Sequence, residues 1–187
     1  MKIQHGVVAV ALCASRFAGA ETNAWQAVNL LKNSTFIRGL EYWQPWQAAK
    51  QDSNILSVVT YEGTRGKYRA LRIENPGGAL AGVQQLVSLK SGEVYRLSAA
   101  CRSSITNDSH QLFGGRVALY QPPQPEEQLV WTTEFNNWWK RERIITAQMS
   151  SVAVVLVHLG YGRVATTGEF ADVRLERLQS GGGGAQR

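Results

Sequence analysis

Between residues 54 and 178 apolar side chains recur at every second position in short runs, and turn-forming residues separate the runs. Each such run gives one face to an interior and the other to solvent, which is the period of a strand and not of a helix. The alternation predicts strands near Asn54–Tyr61, Tyr68–Glu74, Gly82–Leu89, Val94–Arg102, Arg116–Tyr120, Leu129–Glu134, Lys140–Ala147, Val152–Leu159 and Phe170–Leu178. Glu62-Gly63, Asn75-Pro76-Gly77-Gly78, Ser91-Gly92 and Gln121-Pro122-Pro123 mark the reversals, because glycine and proline set turn geometry. No segment sustains an amphipathic helical pattern for three turns, and the only helical candidate is one turn at Ala24–Val28. Many short strands at this spacing predict an all-β sandwich or barrel. In Val94–Arg102 the residues Tyr95, Leu97, Ala99 and Cys101 face inward, while Arg96, Ser98, Ala100 and Arg102 face out. Val152–Leu159 departs from the alternation, being apolar on both faces as far as His158. A strand covered on both sides has that pattern, and so does one at the floor of a ligand cleft.

The two ends of the chain read differently. Lys2, the apolar run Gly6–Ala14 and the small-residue triplet Ala18-Gly19-Ala20 have the layout of a secretory signal peptide over residues 1–20,. The apolar run is far shorter than the roughly 20 residues a membrane span needs, so no transmembrane segment is expected. Ser180–Arg187, with its four consecutive glycines, reads as a flexible tail. Residues 21–179 are then one domain in a secreted or periplasmic protein. Cys13 leaves with the leader, so Cys101 is alone in the mature chain and reads as a small core residue,. The formal charge of +6 falls to +4 without Lys2 and Arg16. The basic residues are scattered and not gathered into a stripe, which argues against nucleic acid as a partner.

Ahead of the alternating region stands Asn29-Leu30-Leu31-Lys32-Asn33-Ser34-Thr35-Phe36-Ile37-Arg38-Gly39-Leu40-Glu41-Tyr42-Trp43. It resembles the opening motif N-L-x-x-N-x-x-F-x-x-G-x-x-x-W of the carbohydrate-binding modules of families 4 and 9, matching it at Asn29, Leu30, Asn33, Phe36, Gly39 and Trp43. Gly82-Val83-Gln84-Gln85 followed by Gly92-Glu93-Val94-Tyr95-Arg96-Leu97-Ser98 resembles a hairpin of the same family. Trp139-Lys140-Arg141 and Phe170-Ala171-Asp172-Val173-Arg174-Leu175 resemble two of its later strands. The resemblance spans about Asn29 to Leu178. It implies a galactose-binding-domain-like jelly roll, a β-sandwich of two antiparallel sheets, with Trp43 and Trp139 as structural residues. It also implies a structural calcium held by backbone carbonyls and Asp172. Calcium takes six to eight oxygens, and Ile37 stands where the family often has an acidic residue. No other cofactor is expected.

A sugar ring offers a flat C–H face edged with hydroxyls, so its site needs aromatic platforms beside amide, imidazole or guanidinium groups. The resemblance points to Trp46, past Pro45 among Gln44 and Gln47, as the first platform, and to His158 on the binding face. Gln85 matches a family glutamine that either faces the cleft or pins a backbone bend. Tyr120, Trp131, Trp138 and Arg116 complete the candidate ligand-binding set. Trp138 and Trp139 are adjacent, so on a strand one of them turns away from the core.

Catalysis is not expected. There is no G-x-S-x-G, H-E-x-x-H or phosphate-loop motif, and Glu126, Glu127 and Glu134 make no persuasive glycosidase pair. His110, His158 and Tyr161 are united by no signature. The expected function is a secreted carbohydrate-binding module for an oligo- or polysaccharide, working alone or beside a catalytic or envelope partner. The alternative is a structural or protein-interaction sandwich of an exported protein with no sugar ligand, which an apolar outer face on Val152–Leu156 would favour.

Overall fold

The computed structural model describes residues 26–64, 66–105, 114–131, 137–160 and 165–179. The leader, the tail, His110, Tyr161 and Glu134 lie outside the described residues. Two antiparallel sheets pack face to face. One has the order β3 (Leu56–Gly63), β4 (Gly66–Asn75), β11 (Thr166–Gln179), β6 (Val94–Ile105), β9 (Trp139–Thr146), with β1 (Gln26–Asn29) also paired to β11. The other runs β2 (Gln44–Gln47), β5 (Ala81–Leu89), β10 (Ser151–Leu159), β7 (Arg116–Tyr120), β8 (Glu127–Val130). The expected all-β jelly-roll sandwich is therefore the observed fold. Gln26–Asn29 is a correction: the turn of helix expected there is a strand, because it lies in register with Glu176–Gln179.

The core lies between the sheets and follows the predicted alternation. Tyr95, Leu97, Ala99 and Cys101 of β6 are buried against Val83 and Val87 of β5 and Val155 and Val157 of β10 in one cluster. Burial pushes the Cys101 thiol well above its ordinary pKa, with Glu169 adding to the effect, which keeps it protonated and inert.

The opening stretch folds as a chain of tight turns locked by Asn33. Its Oδ1 accepts from the Arg38 N–H at 3.1 Å, and its Nδ2 donates to the carbonyls of Gly39 and Glu41. Gly39 has φ +63°, a conformation that glycine adopts without steric cost. Phe36 and Trp43 drop into the core with ring centroids 5.5 Å apart, and the indole N–H donates back to the Asn33 carbonyl. The amide that makes Asn33-Ser34-Thr35 look like a glycosylation sequon is thus committed to the fold.

Gln85 fastens this loop to the five-stranded sheet. Its Oε1 accepts from Lys32 N–H at 2.8 Å, and its Nε2 donates to the Lys32 carbonyl at 3.1 Å. From the other sheet, Val173 N–H donates to Ser34 O at a bulge in β11. Asp172 occupies that bulge with φ +50°, and its carboxylate accepts from Arg174 Nε at 2.6 Å.

Candidate functional site

The outer face of the five-stranded sheet can be read directly from its registers. Trp46, Gly82, His158, Arg116 and Val130 form one row across β2, β5, β10, β7 and β8. The next row is Gln44, Gln84, Leu156, Ala118 and Gln128. Leu86, Val154 and Tyr120 make a third, and Ser88 beside Val152 a fourth. Among the described residues of these rows Arg116 is the single formal charge. The opposite face of the sandwich is crowded with ion pairs, including Arg72 and Arg102 with Glu169 and Arg96 with Glu176.

Of the residues the sequence proposed as ligand contacts, Trp46, His158, Arg116 and Tyr120 come together on this face. The Trp46 indole reaches across Gly82, which has no side chain, to meet the His158 imidazole edge-on at 5.3 Å. Arg116 is buried in the same row and donates from Nη1 to Gln128 Oε1 at 2.7 Å. Tyr120, 48% exposed, stands two rows away. His158 is 4% exposed and its Nδ1 has no hydrogen-bond partner. It is therefore a buried support of Trp46 and not an open ligand contact.

Gln85, Trp131 and Trp138 do not join them. Gln85 points inward with Val83 and Val87 and holds the opening loop, so of its two sequence roles the structural one is observed. Trp131 is a core residue: its ring lies edge-on to Phe170, and its indole N–H donates to the Trp139 carbonyl at 2.7 Å. Trp138 is on the far side of the sandwich. There it packs against Tyr61 and Tyr68, and the Arg102 guanidinium stacks between Tyr61 and Trp138 at 4.6 and 5.2 Å. Trp139, expected in the core, is 47% exposed at the sheet edge because Trp131 fills the interior there. The residues that sequence reasoning missed are Gln84 and Gln128, the outward amides. The parity of β5 identifies Gln84, since Val83, Gln85, Val87 and Leu89 share the inward set.

The metal expectation joins backbone carbonyls to Asp172, whose carboxylate is paired with Arg174. No group of three His, Cys, Asp or Glu side chains able to hold a metal occurs among the described residues, and no role is derived for calcium.

Burial pushes the His158 pKa down from 6.5 to about 4; the positive charge of Arg116 adds to this, against a smaller opposing pull from the Leu159 backbone. A histidine held neutral in the folded state takes up its proton on unfolding. Stability therefore falls as pH drops from 6.5 toward 4 and the loss is complete below that, amounting to roughly 3 kcal/mol. Glu169 contributes acid loss of its own. Burial raises its carboxyl, but Arg102, Tyr61 and Arg72 outweigh burial and hold it below the ordinary value, so its stabilisation disappears as pH falls through that lowered value. Comparing His158→Gln with wild type cancels the Glu169 contribution. Between pH 7 and pH 4.5 the variant is expected to lose roughly 2–3 kcal/mol less stability in urea unfolding. Equal losses in the two proteins would contradict the burial of a neutral His158.

No family model matches the chain, and no curated protein matches it. Solved structures of similar fold include the carbohydrate-binding module TmCBM61 in complex with β-1,4-galactotriose. That likeness has 21% identity and a TM-score of 0.59, and covers 80% of this chain and 99% of that one. A family 16 carbohydrate-binding module has 18% identity and a TM-score of 0.57, with 79% and 99% covered. An arabinose-bound α-L-arabinofuranosidase has 16% identity and a TM-score of 0.56, with 85% of this chain but only 29% of the enzyme covered. At these identities the likeness is one of fold, a fold that these carbohydrate-binding modules share.

Proposed function

We propose that this protein is an exported, non-catalytic module that binds a carbohydrate on the outer face of its five-stranded sheet. The observation that carries the reading is the composition of that face. It offers Trp46 and Tyr120 as flat rings and Gln44, Gln84 and Gln128 as amides that both donate and accept, with one charge in the whole array. A sugar needs those groups: apolar ring faces stack on aromatics, and hydroxyls pair with amides. The fold shared with sugar-binding modules supports the reading without fixing the ligand. Affinity from a few such contacts is micromolar to millimolar, roughly −4 to −8 kcal/mol.

One observation favours the second reading. Leu86 and Val152 are each 58% exposed, and with Val154 they make an aliphatic patch beside Tyr120, the kind of surface a protein partner covers. Titrating the mature domain against soluble β-glucans, xylans, mannans, galactans and uronic polymers, with tryptophan fluorescence as readout, separates the two. Binding that saturates, and that Trp46→Ala and Tyr120→Ala each weaken about tenfold or more, supports the sugar site. No saturable response to any polymer by a folded domain would move the assignment to a protein-interaction module.

A further inference from the structure

Beyond Trp46, at the end of the sandwich, lies a cleft of about 990 Å³. Its walls are Gln47, Ala48, Lys50 and Gln51 at and after the end of β2, the β4–β5 connection Gly77–Leu80, and Gly160 after β10. We propose that this cleft is a second binding site, sharing Trp46 with the sheet face, and that it receives the terminal sugar of a glycan chain. The proposal rests on the reading that the module binds carbohydrate.

The walls are tied together more firmly than a strand connection requires. Asn75, itself buried, donates from Nδ2 to the Ala79 carbonyl, and Ala48 N–H donates to Leu80 O at 3.1 Å. Gly160, at φ +91°, packs so closely that a Cβ there would lie 2.1 Å from Ala79 O. Gln47 is held at φ 54°, ψ −126°, a backbone region that a non-glycine residue enters only when the surrounding structure imposes it. The result is a pre-formed cavity, and a pre-formed cavity lowers the entropic cost of binding.

The lining selects the class of ligand. Among the described residues Trp46 is the only aromatic side chain in it, so it stacks one ring. Gln47 and Gln51 donate and accept, Lys50 donates, and none of the described lining residues carries a carboxylate, so the cleft suits hydroxyls and not a cation. Trp46, edge-on to His158 at 5.3 Å, borders both the cleft and the rows of the sheet. A polymer interior lies along those rows, whereas a single ring at the pole is a chain end.

Gly77 provides the test. Its φ is ordinary, it borders the cleft, and a Cβ on it meets nothing within 4 Å. Gly77→Trp therefore fills the cleft from its rim without displacing backbone, and Gly77→Ala is the control that leaves it open. In calorimetric titration with short neutral galacto-, gluco-, xylo- and manno-oligosaccharides, wild type and Gly77→Ala are expected to bind at two places per chain. Gly77→Trp is expected to keep one, weakening the other about tenfold or more, and Tyr120→Ala is expected to spare the one that Gly77→Trp removes. Binding by Gly77→Trp that matches wild type in stoichiometry and affinity overturns the cleft site and leaves the sheet-face reading standing. A folded wild type that binds none of the oligosaccharides overturns both.

Discussion

Trp131→Ala is expected to lose about 3–5 kcal/mol of stability, the range for deleting a buried aromatic, while the molecules that remain folded keep their ligand affinity. The side chain is among the largest that are fully buried. Its neighbours cannot close the hole. The ring meets Phe170 edge-on at 6.4 Å, and the backbone N–H of Trp131 donates to Gly115 O at 2.9 Å. A Cβ on Gly114 would lie 1.8 Å from the Trp131 carbonyl, so the backbone on either side is already in close contact. The substitution also removes the hydrogen bond from the indole N–H to the Trp139 carbonyl, a loss of about 0.5–1.5 kcal/mol. Urea unfolding measures the loss, and Trp131→Phe should recover much of it because only the polar contact and part of the volume are gone. A stable Trp131→Ala protein that fails only in binding would instead make the residue a ligand platform.

Gly82→Ala is the second large effect, expected at about 3 kcal/mol or more, which is the upper end for forcing atoms into a packed site. A Cβ at this position would lie 2.0 Å from Val157 O and 2.8 Å from Cα and Cβ of His158. Both obstacles belong to the adjacent strand and cannot rotate away, so β5 must move relative to β10. Gly82 is also the bare position over which the Trp46 indole reaches His158, pairing with Trp46 on one side and with His158 on the other. The variant should therefore lose thermal stability and ligand affinity together, by circular dichroism and by titration. A change within about 0.5 kcal/mol, the scale of an ordinary surface substitution, would show that the close strand contact is not a constraint.

The strands that the alternation marked are present with ends that differ by a few residues, except that Leu129–Glu134 overlaps β8 only at Leu129 and Val130 and runs on beyond the described residues. Tyr95, Leu97, Ala99 and Cys101 are inward because a period of two in a half-buried strand is a local property that the chain states plainly. The elements that were missed depend on distant partners. Gln26–Asn29 is a strand only because the end of β11 lies beside it, and Gln44–Gln47 contains Pro45, which an edge strand tolerates on its unpaired side. The site shows the same division. Trp46, His158, Arg116 and Tyr120 were named from the sequence and do share a face. Gln85 and Gln84 are neighbours, and the resemblance favoured the inward one although strand parity favours the outward. Trp138 was a reasonable platform by composition, but nothing local foretold that Tyr61, Tyr68 and Arg102 would meet it on the other sheet. His158 is buried because Trp46, more than a hundred positions earlier in the chain, folds over a glycine in the intervening strand.

The central claim is that the sparsely charged outer face of the five-stranded sheet holds the glycan, and amide chemical-shift mapping tests it most directly. The mature, isotope-labelled domain is titrated with the oligosaccharide that binds best in the polymer panel. The account expects saturable shifts at Gln84, Leu156, Ala118, Tyr120 and Gln128, residues contributed by β5, β10, β7 and β8, with little change at Arg72, Arg102 or Glu169. Shifts confined to Tyr61, Tyr68, Arg102 and Trp138 would contradict it by moving the ligand to the six-stranded sheet.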